Sequence, residues 1–300
     1  MLALKGIIPP MVTPMDEEGR VDEASTRSLV QHMLKSGVDG FFLLGTMGEG
    51  ASLCPEDKER LIRTVVSEVG GRVPVLAGAT EATTARTVAN AQRFEKLGVD
   101  AVVVMQPFFY KGLNQQEVEG HFLAVVESIT KPVVIYNNPG LTGIAISLST
   151  LGRLAAHPHI IGTKDSTANF SYFMEVLRIR ARVKEFAVFQ GDEWAVAASL
   201  LCGADGAVIG MGSLAGKLFK RLYTAAKLGN VAEAVQLQMT LIDMFDGIYD
   251  ADRHQWLTGH KEALHYLGII RCPKASVYQM LTWEERHRVR RCVDQYREYL

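Results

Sequence analysis

The chain has 300 residues, 48% of them hydrophobic, and its 32 lysines and arginines nearly balance its 33 aspartates and glutamates. A chain of this size can bury a large core as one barrel or sheet domain with an appendix. The near-neutral charge and the absence of a long basic run argue against nucleic acid or an anionic membrane as a partner, so we expect a small-molecule partner.

The cysteines and the apolar runs bear on the cellular compartment of the protein. The four cysteines are far apart and form no C-x-x-C pair: Cys54, Cys202, Cys272 and Cys292. The first residues lack the apolar stretch of a signal peptide, and no run approaches the roughly 18 apolar residues of a membrane span. We therefore expect free thiols and a cytoplasmic location. His157-Pro158-His159 has no third ligand at suitable spacing, so no metal site is expected.

Eight short β-rich runs predict strands. In chain order these are Gly6–Val12, Gly40–Leu44, Pro74–Ala77, Ala101–Met105, Pro132–Tyr136, Ile160–Lys164, Phe186–Phe189 and Gly206–Ile209. Most are continuously apolar rather than alternating, which indicates burial on both faces, as in a closed barrel wrapped by helices.

Amphipathic segments long enough for crossover helices separate the early strands. They are Glu23–Ser36, Pro55–Val69, Thr83–Leu97, Gln115–Ile129 and Ser147–His157. This alternation predicts an α/β fold, a (β/α)8 TIM barrel. An open doubly wound sheet is the alternative, but prolines stand after the first strand where a dinucleotide fold has G-x-G-x-x-G.

After Gly212 only helical patterns remain. They are Ala215–Leu228, Val231–Ile248, His260–Leu267 and Trp283–Leu300. We predict a barrel over residues 1–214 that carries the active site, and a C-terminal helical extension over 215–300 packed on it.

Lys164 ends the sixth predicted strand, where a short apolar run meets a polar turn. A buried ammonium is costly, so such a lysine is either ion-paired or neutral, and a neutral amine can attack a carbonyl. In a TIM barrel the active site lies at the C-terminal ends of the strands, which makes Lys164 a candidate for Schiff-base chemistry. The alternative is an edge lysine that reaches water.

Other strand ends supply hydroxyl groups that could serve such an amine. Tyr136 is one strand away from Lys164, and Thr46 and Tyr110 could complete a proton-carrying chain. The glycines around Thr46 leave backbone N–H groups free to bind a carboxylate. Each feature alone is commonly a packing residue or an ordinary loop, so it is their combination that favours a site.

Three motifs on three strands resemble one family. They are Gly-Thr-x-Gly-Glu at 45–49, Tyr-Asn-x-Pro-x-x-Thr-Gly at 136–143 and Gly-x-Lys-Asp at 162–165. In spacing and order the chain resembles, over nearly its whole length, the dihydrodipicolinate synthase / N-acetylneuraminate lyase superfamily of class I aldolases. A protonated imine is itself an electron sink, so no metal or organic cofactor is expected.

The resemblance implies roles for the strand-end residues. Lys164 would form the Schiff base with the 2-oxo group of pyruvate or a pyruvate-derived acid, and Tyr136 would be the general acid/base. Thr46 would relay protons between Tyr136 and Tyr110, with Tyr110 contributed by a neighbouring subunit of a homodimer or homotetramer. Phe109 is the alternative occupant of that interface position.

The resemblance also implies how the oxo acid is held. Backbone N–H groups near Thr46 and Met47 would bind its carboxylate, and the carbonyl of Val208 or Ile209 would face it. Met47 replaces a threonine or serine found in many members, and a hydrogen bond to a charged group is worth about 1.5–3 kcal/mol. We expect this change to narrow the substrate rather than abolish activity.

Further positions bear on the second substrate. Leu141 stands where dihydrodipicolinate synthases proper have an arginine, which argues against an acidic acceptor. Ser166 matches a hydroxylated position of sialic acid lyases and 2-keto-3-deoxygluconate-type aldolases. Asp192 and Glu193 could bind sugar hydroxyls or simply cap the next helix.

The sequence therefore predicts a class I aldolase or lyase. The leading prediction is reversible aldol cleavage or condensation of pyruvate with a hydroxylated aldehyde, of the 2-keto-3-deoxy sugar acid type. The alternatives within the family are 4-hydroxy-tetrahydrodipicolinate (dihydrodipicolinate) synthase and a Schiff-base dehydratase or deaminase. A non-catalytic ligand-binding barrel is the alternative outside enzymes, for which Met47 and Leu141 are the only indications.

Overall fold

The computed structural model describes residues 2–183, 185–250 and 254–300, and within these ranges it contains eight strands. They are β1 (Gly6–Ile7), β2 (Phe41–Leu43), β3 (Val75–Gly78), β4 (Ala101–Val104), β5 (Val133–Asn137), β6 (Ile160–Asp165), β7 (Ala187–Gln190) and β8 (Gly206–Ala207). All eight overlap the predicted runs.

The strands form a parallel sheet in the order β1-β8-β7-β6-β5-β4-β3-β2. A parallel bridge between Pro10 and Phe42 joins the two ends, with Phe42 donating to the Pro9 carbonyl at 3.1 Å and Met11 donating to the Phe42 carbonyl at 2.9 Å. This confirms the predicted barrel. β1 is shorter than predicted because Pro9 and Pro10 have no N–H to extend its ladder.

Eight helices of the described chain precede residue 214. They are α1 (Glu23–Lys35), α2 (Pro55–Val69), α3 (Thr84–Glu95), α4 (Gln115–Val126), α5 (Pro139–Thr142), α6 (Leu148–Ala155), α7 (Phe170–Arg180) and α8 (Val196–Leu201). The five predicted crossover helices are all present. Side-chain caps fix several starts, such as Asp22, which accepts from two backbone N–H groups of α1.

Four α-helices of the described chain follow β8: α9 (Gly216–Lys227), α10 (Val231–Tyr249), α11 (Trp256–Tyr266) and α12 (Trp283–Gln295). α9 packs against β1, and α10, α11 and α12 pack on one another. A Cβ at Gly259 would lie 2.1 Å from the Ile248 carbonyl, so this glycine allows α11 to approach the end of α10 closely. The predicted boundary at 214/215 stays a prediction, and residues 1, 184 and 251–253 of the two predicted domains lie outside the described residues.

The barrel interior is filled by apolar side chains such as Phe42, Val134 and Phe189. The void that these share with Lys164 measures only about 10 Å³, so the barrel is a packed core and ligands are confined to its mouth. Of the helices in the described ranges, none has the length and apolar character to cross a bilayer.

Candidate active site

Lys164 lies on β6 in register with Tyr136 on β5 and Phe189 on β7. The residue is 6% exposed, although it is the last but one of its strand. Its Nζ atom lies 4.0 Å from the centroid of the Tyr136 ring and 5.4 Å from that of Phe42. The amine therefore sits in an aromatic setting inside the barrel mouth and does not reach bulk water.

The Tyr136 ring that contacts this amine carries a hydrogen-bonded hydroxyl. It accepts a hydrogen bond from Asn138 Nδ2 at 3.0 Å. Burial acts to raise the pKa of Tyr136, but the charge of Lys164 and hydrogen bonds with Asn138, Thr46 and Ser166 outweigh it and lower that pKa. A phenol with a lowered pKa exchanges protons more readily at neutral pH.

The segment 45–50 after β2 is a tight loop. Leu44 and Glu49 both have positive φ, at 58° and 54°, which side chains other than glycine rarely adopt. A Cβ at Gly50 would lie 2.1 Å from the Leu44 carbonyl oxygen, so only glycine fits there. The fold leaves Thr46 exposed at the cavity.

The Met47 side chain packs away from that cavity. Met47 is 7% exposed and belongs to the main hydrophobic core, where a Cβ at Gly210 would lie 3.0 Å from its sulfur. Any contact with a substrate carboxylate would be through its backbone, which stays a prediction. Val208 lines the small void beneath Lys164, whereas Ile209 is fully buried in the core, and which of their carbonyls faces a ligand also stays a prediction.

Gly191 gives Lys164 and Ser166 the room they occupy. An added Cβ would lie 2.1 Å from Ser166 Oγ and 2.9 Å from Lys164 Cε. Ser166 Oγ donates to the Gly191 carbonyl at 3.2 Å, while Asp192 accepts from the Trp194 N–H and caps a short 3₁₀-helix. Binding of sugar hydroxyls by Ser166 and Asp192 stays a prediction.

Two carboxyl groups lie near Lys164 in sequence or in space: Asp165, which is buried and follows it on β6, and Glu193, which is half-buried after β7 and feels the charge of Lys164. Burial raises the pKa of Asp165 to about 7, although hydrogen bonds from Thr167 and Asn137 act in the opposite direction. Burial likewise raises the pKa of Glu193, whose Oε1 accepts from the Gly210 N–H at 2.8 Å. Sequence reasoning gave Asp165 no role, though it stands in the motif at 162–165.

Asn138 and Gly191 were also missed by sequence reasoning. Asn138 is the variable position of the motif at 136–143, and Gly191 precedes Asp192 in an ordinary turn. An asparagine beside a strand-end tyrosine is the only signal that could have identified the first. The steric role of Gly191 depends on how closely β6 and β7 approach each other, which is a property of the folded chain.

Tyr110 and Phe109 lie outside the site within a single chain. They are 61% and 69% exposed, and their rings pack edge to face with centroids 5.1 Å apart. Neither lines the cavity that Thr46 and Tyr136 share. That Tyr110 contributes to the active site of a neighbouring subunit therefore stays a prediction.

A cavity of about 260 Å³ opens above Tyr136 at the barrel mouth. Its inner end is formed by Phe42, Val103 and Tyr136, of which the first two also line the void that contains Lys164. Its outer walls come from the loop after β4, from α5, and from α11 and the segment that follows it: Met105, Phe108, Leu141, Trp256, Leu257, Val277 and Tyr278. No group of three or more His, Cys, Asp or Glu among the described residues could hold a metal ion.

Comparisons with known proteins agree with this geometry. The model of the dihydrodipicolinate synthetase family matches residues 3–296. The 4-hydroxy-tetrahydrodipicolinate synthase of Gluconacetobacter diazotrophicus is 33% identical over 82% of both chains, and that of Desulforudis audaxviator is 35% identical over 81% of this chain and 82% of its own.

Solved structures of members of this family have the same fold as this chain. Dihydrodipicolinate synthase from Bacteroides thetaiotaomicron superposes with a TM-score of 0.92 at 31% identity, over 98% of this chain and 100% of its own. YagE, a prophage protein of E. coli K12 described in complex with pyruvate, superposes with a TM-score of 0.91 at 28% identity over 97% and 98%. The chain therefore belongs to the dihydrodipicolinate synthetase family and is a carbon–carbon lyase.

Proposed function

We propose that Lys164 forms a Schiff base with the 2-oxo group of pyruvate or a pyruvate-derived acid, and that the resulting enamine adds to an aldehyde. The observation that carries this proposal is the buried Lys164 amine, 4.0 Å from the Tyr136 ring at the inner end of the cavity. The description of the E. coli relative in complex with pyruvate supports the choice of oxo acid.

The proposed addition of pyruvate to an aldehyde uses the side chains of Lys164, Tyr136 and Thr46. The unprotonated Lys164 amine attacks the 2-oxo carbon, and loss of water leaves a protonated imine. A proton leaves C3, the enamine C3 attacks the aldehyde carbon, and the new alkoxide takes up a proton. Water then hydrolyses the imine, releasing a 4-hydroxy-2-oxo acid and the free amine. Tyr136, with its lowered pKa, is suited to move these protons, and Thr46 extends its reach toward the surface.

The names of the curated relatives bear on which reaction follows. They support 4-hydroxy-tetrahydrodipicolinate synthesis ahead of the 2-keto-3-deoxy sugar acid reaction predicted first, so we place that synthesis first among named reactions. The position of Leu141 in the cavity wall argues against an acid-binding synthase, because a leucine offers no charge to an acidic acceptor. The sugar acid reaction is the second candidate because Ser166 lies beside Tyr136.

The proposal also covers the oligomeric state and the cellular location of the protein. The exposed aromatic pair Phe109 and Tyr110 supports a homo-oligomer, a dimer or tetramer, in which Tyr110 reaches a neighbouring site. The cysteines Cys54, Cys202, Cys272 and Cys292 are all free thiols, which supports a reducing, cytoplasmic compartment.

Incubation with pyruvate and borohydride tests the imine directly. We expect a fixed mass addition at Lys164 in the wild type and in Lys96→Ala, which removes an exposed lysine at the end of α3. Lys164→Ala should not be labelled. An unlabelled wild type, or equal labelling of Lys164→Ala, would refute the proposal. Turnover of pyruvate with aspartate semialdehyde, compared with pyruvate release from 2-keto-3-deoxy acids, then decides between the two named reactions.

A further inference from the structure

The outer part of the cavity is built almost entirely from apolar side chains. Phe108 contributes from the loop after β4 and Leu141 from α5, and Trp256, Leu257 and Val277 come from α11 and the segment that follows it. The Tyr278 ring packs edge to face on Trp256, with centroids 5.7 Å apart. No lysine or arginine of the described ranges lines this cavity.

The polar groups of the cavity are either occupied or lie near the amine. Both carboxylate oxygens of Glu49 are engaged, one by Lys261 and the other by Ser276. The Thr80 hydroxyl accepts from the Met105 N–H at 2.8 Å. The Thr46 hydroxyl hydrogen-bonds the Tyr136 hydroxyl and helps to lower its pKa. Both groups therefore lie at the end of the cavity nearest Lys164.

Among the described side chains that line the cavity, the remaining polar groups lie at its rim. Ser52 is exposed, and the Tyr278 side chain is 37% exposed. A carboxylate or a row of hydroxyls bound against the outer wall would lose water without gaining matching partners, which is unfavourable. An apolar group bound there would gain from burial of its surface.

We propose that the aldehyde added to the enamine has an apolar body, an aromatic ring or a branched alkyl chain, that lies against Phe108, Leu141, Trp256 and Val277. This inference rests on the proposed imine at Lys164 and concerns only the second substrate. It departs there from both reactions named above, whose order followed the names of relatives, because the wall of this chain's own cavity fits neither an acidic nor a hydroxylated aldehyde. The product would be a 4-hydroxy-2-oxo acid with an apolar substituent at C4, and the reverse reaction would cleave its C3–C4 bond to pyruvate and the aldehyde.

An aldehyde panel at fixed pyruvate tests this. We expect kcat/KM for benzaldehyde and isobutyraldehyde to exceed that for glyceraldehyde and aspartate semialdehyde by about tenfold or more, the scale of discrimination by an apolar pocket. Product is followed by mass, and the borohydride reaction is run on the same sample to establish that the imine forms.

Two matched variants are compared through the ratio of kcat/KM for the same two aldehydes. Differences in intrinsic reactivity between the aldehydes cancel in that comparison. Leu141→Arg places a cation in the wall, and we expect it to raise the ratio of kcat/KM for aspartate semialdehyde over benzaldehyde by about tenfold or more. Leu228→Arg makes the same change at an 80% exposed position after α9 and should leave that ratio unchanged.

The outcomes separate the inference from the proposed function. A wild type that traps pyruvate but prefers aspartate semialdehyde or glyceraldehyde would overturn the apolar acceptor and leave the imine intact. A ratio unmoved by Leu141→Arg would also overturn it, because the wall would then not contact the aldehyde. Failure to trap pyruvate at Lys164 would refute the proposed function itself, and the inference with it.

Discussion

Lys261 and Glu49 form a buried ion pair across 212 residues of chain, with Nζ 2.5 Å from Oε1 and side chains 0% and 3% exposed. Glu49 belongs to the loop that carries Thr46, and Lys261 belongs to α11. Burial lowers the pKa of Lys261, and the charge of Glu49 opposes that shift. The pair fastens the C-terminal helices to the loop proposed to bind the substrate carboxylate.

Breaking this pair should be costly. Lys261→Met leaves Glu49 charged and buried, and we expect the free energy of unfolding to fall by about 3–5 kcal/mol in urea denaturation. Lys261→Met combined with Glu49→Gln should recover part of that loss. Arg178→Met, which removes an exposed pair with Glu175, should change stability by less than about 1 kcal/mol. Equal losses at the two sites would show that burial does not matter here.

Removal of the Tyr136 hydroxyl should affect turnover rather than imine formation. We expect Tyr136→Phe to lower kcat by roughly 10²–10⁴, the usual contribution of a general acid/base, while borohydride still labels Lys164. Tyr266→Phe removes a hydroxyl bonded to Asp294 on α12 and should leave kcat unchanged. A Tyr136→Phe enzyme with wild-type kcat would exclude the phenol from proton transfer.

The Asn138 hydrogen bond should set the pH profile. It is one of the contacts that lower the pKa of Tyr136, so its loss in Asn138→Ala should raise that pKa. We expect the limb of the kcat profile that disappears in Tyr136→Phe to move to higher pH in Asn138→Ala. A limb that stays in place would mean that it reports another group.

Gly191→Ala should disturb the site through crowding. Its Cβ would meet Ser166 Oγ, which can rotate, but also Lys164 Cε at 2.9 Å and the Asp165 carbonyl at 2.8 Å, which have less freedom. We expect about 1–3 kcal/mol of destabilisation and slower borohydride labelling. Gly152→Ala, in α6 with no atom near its added Cβ, should be neutral or stabilising. Normal labelling of Gly191→Ala would show that the strands adjust freely.

Asp165 should make stability depend on pH. Its pKa rises from an ordinary value of 3.8 to about 7 on folding, so the native state binds more protons between these values. The free energy of unfolding should therefore fall as pH rises from about 4 to 7 and then level off, by at most about 4 kcal/mol at 1.36 kcal/mol per pKa unit. Asp165→Asn should remove this fall, whereas Asp246→Asn, at an exposed position on α10, should not. Equal slopes in wild type and Asp165→Asn would contradict the assignment.

The barrel was predictable because its signals are local. Continuous apolar runs identify strands such as β5 and β6, and the parallel register then places Tyr136 beside Lys164 without further information. Met47 shows where this reasoning stops: its motif position predicts a backbone N–H at the carboxylate site, which stays a prediction, but does not show that its side chain packs into the core.

The cavity wall could not be predicted in the same way. Trp256 and Val277 reach the barrel mouth because α11 is held there by the Lys261–Glu49 pair and by the close approach at Gly259. The ion pair joins segments 212 residues apart in sequence. The glycine also interrupts the helical pattern, which explains why α11 was predicted to begin at His260 rather than Trp256.

The two halves of the proposed chemistry come from different stretches of the gene product. The side chains that would make and use the imine lie between Thr46 and Ser166, and much of the wall that would meet the aldehyde lies within residues 256–278. During synthesis the catalytic strands are therefore complete before the last part of their mouth exists. In evolution the same separation lets substitutions near Trp256 and Val277 change the partner aldehyde while every barrel strand stays as it is.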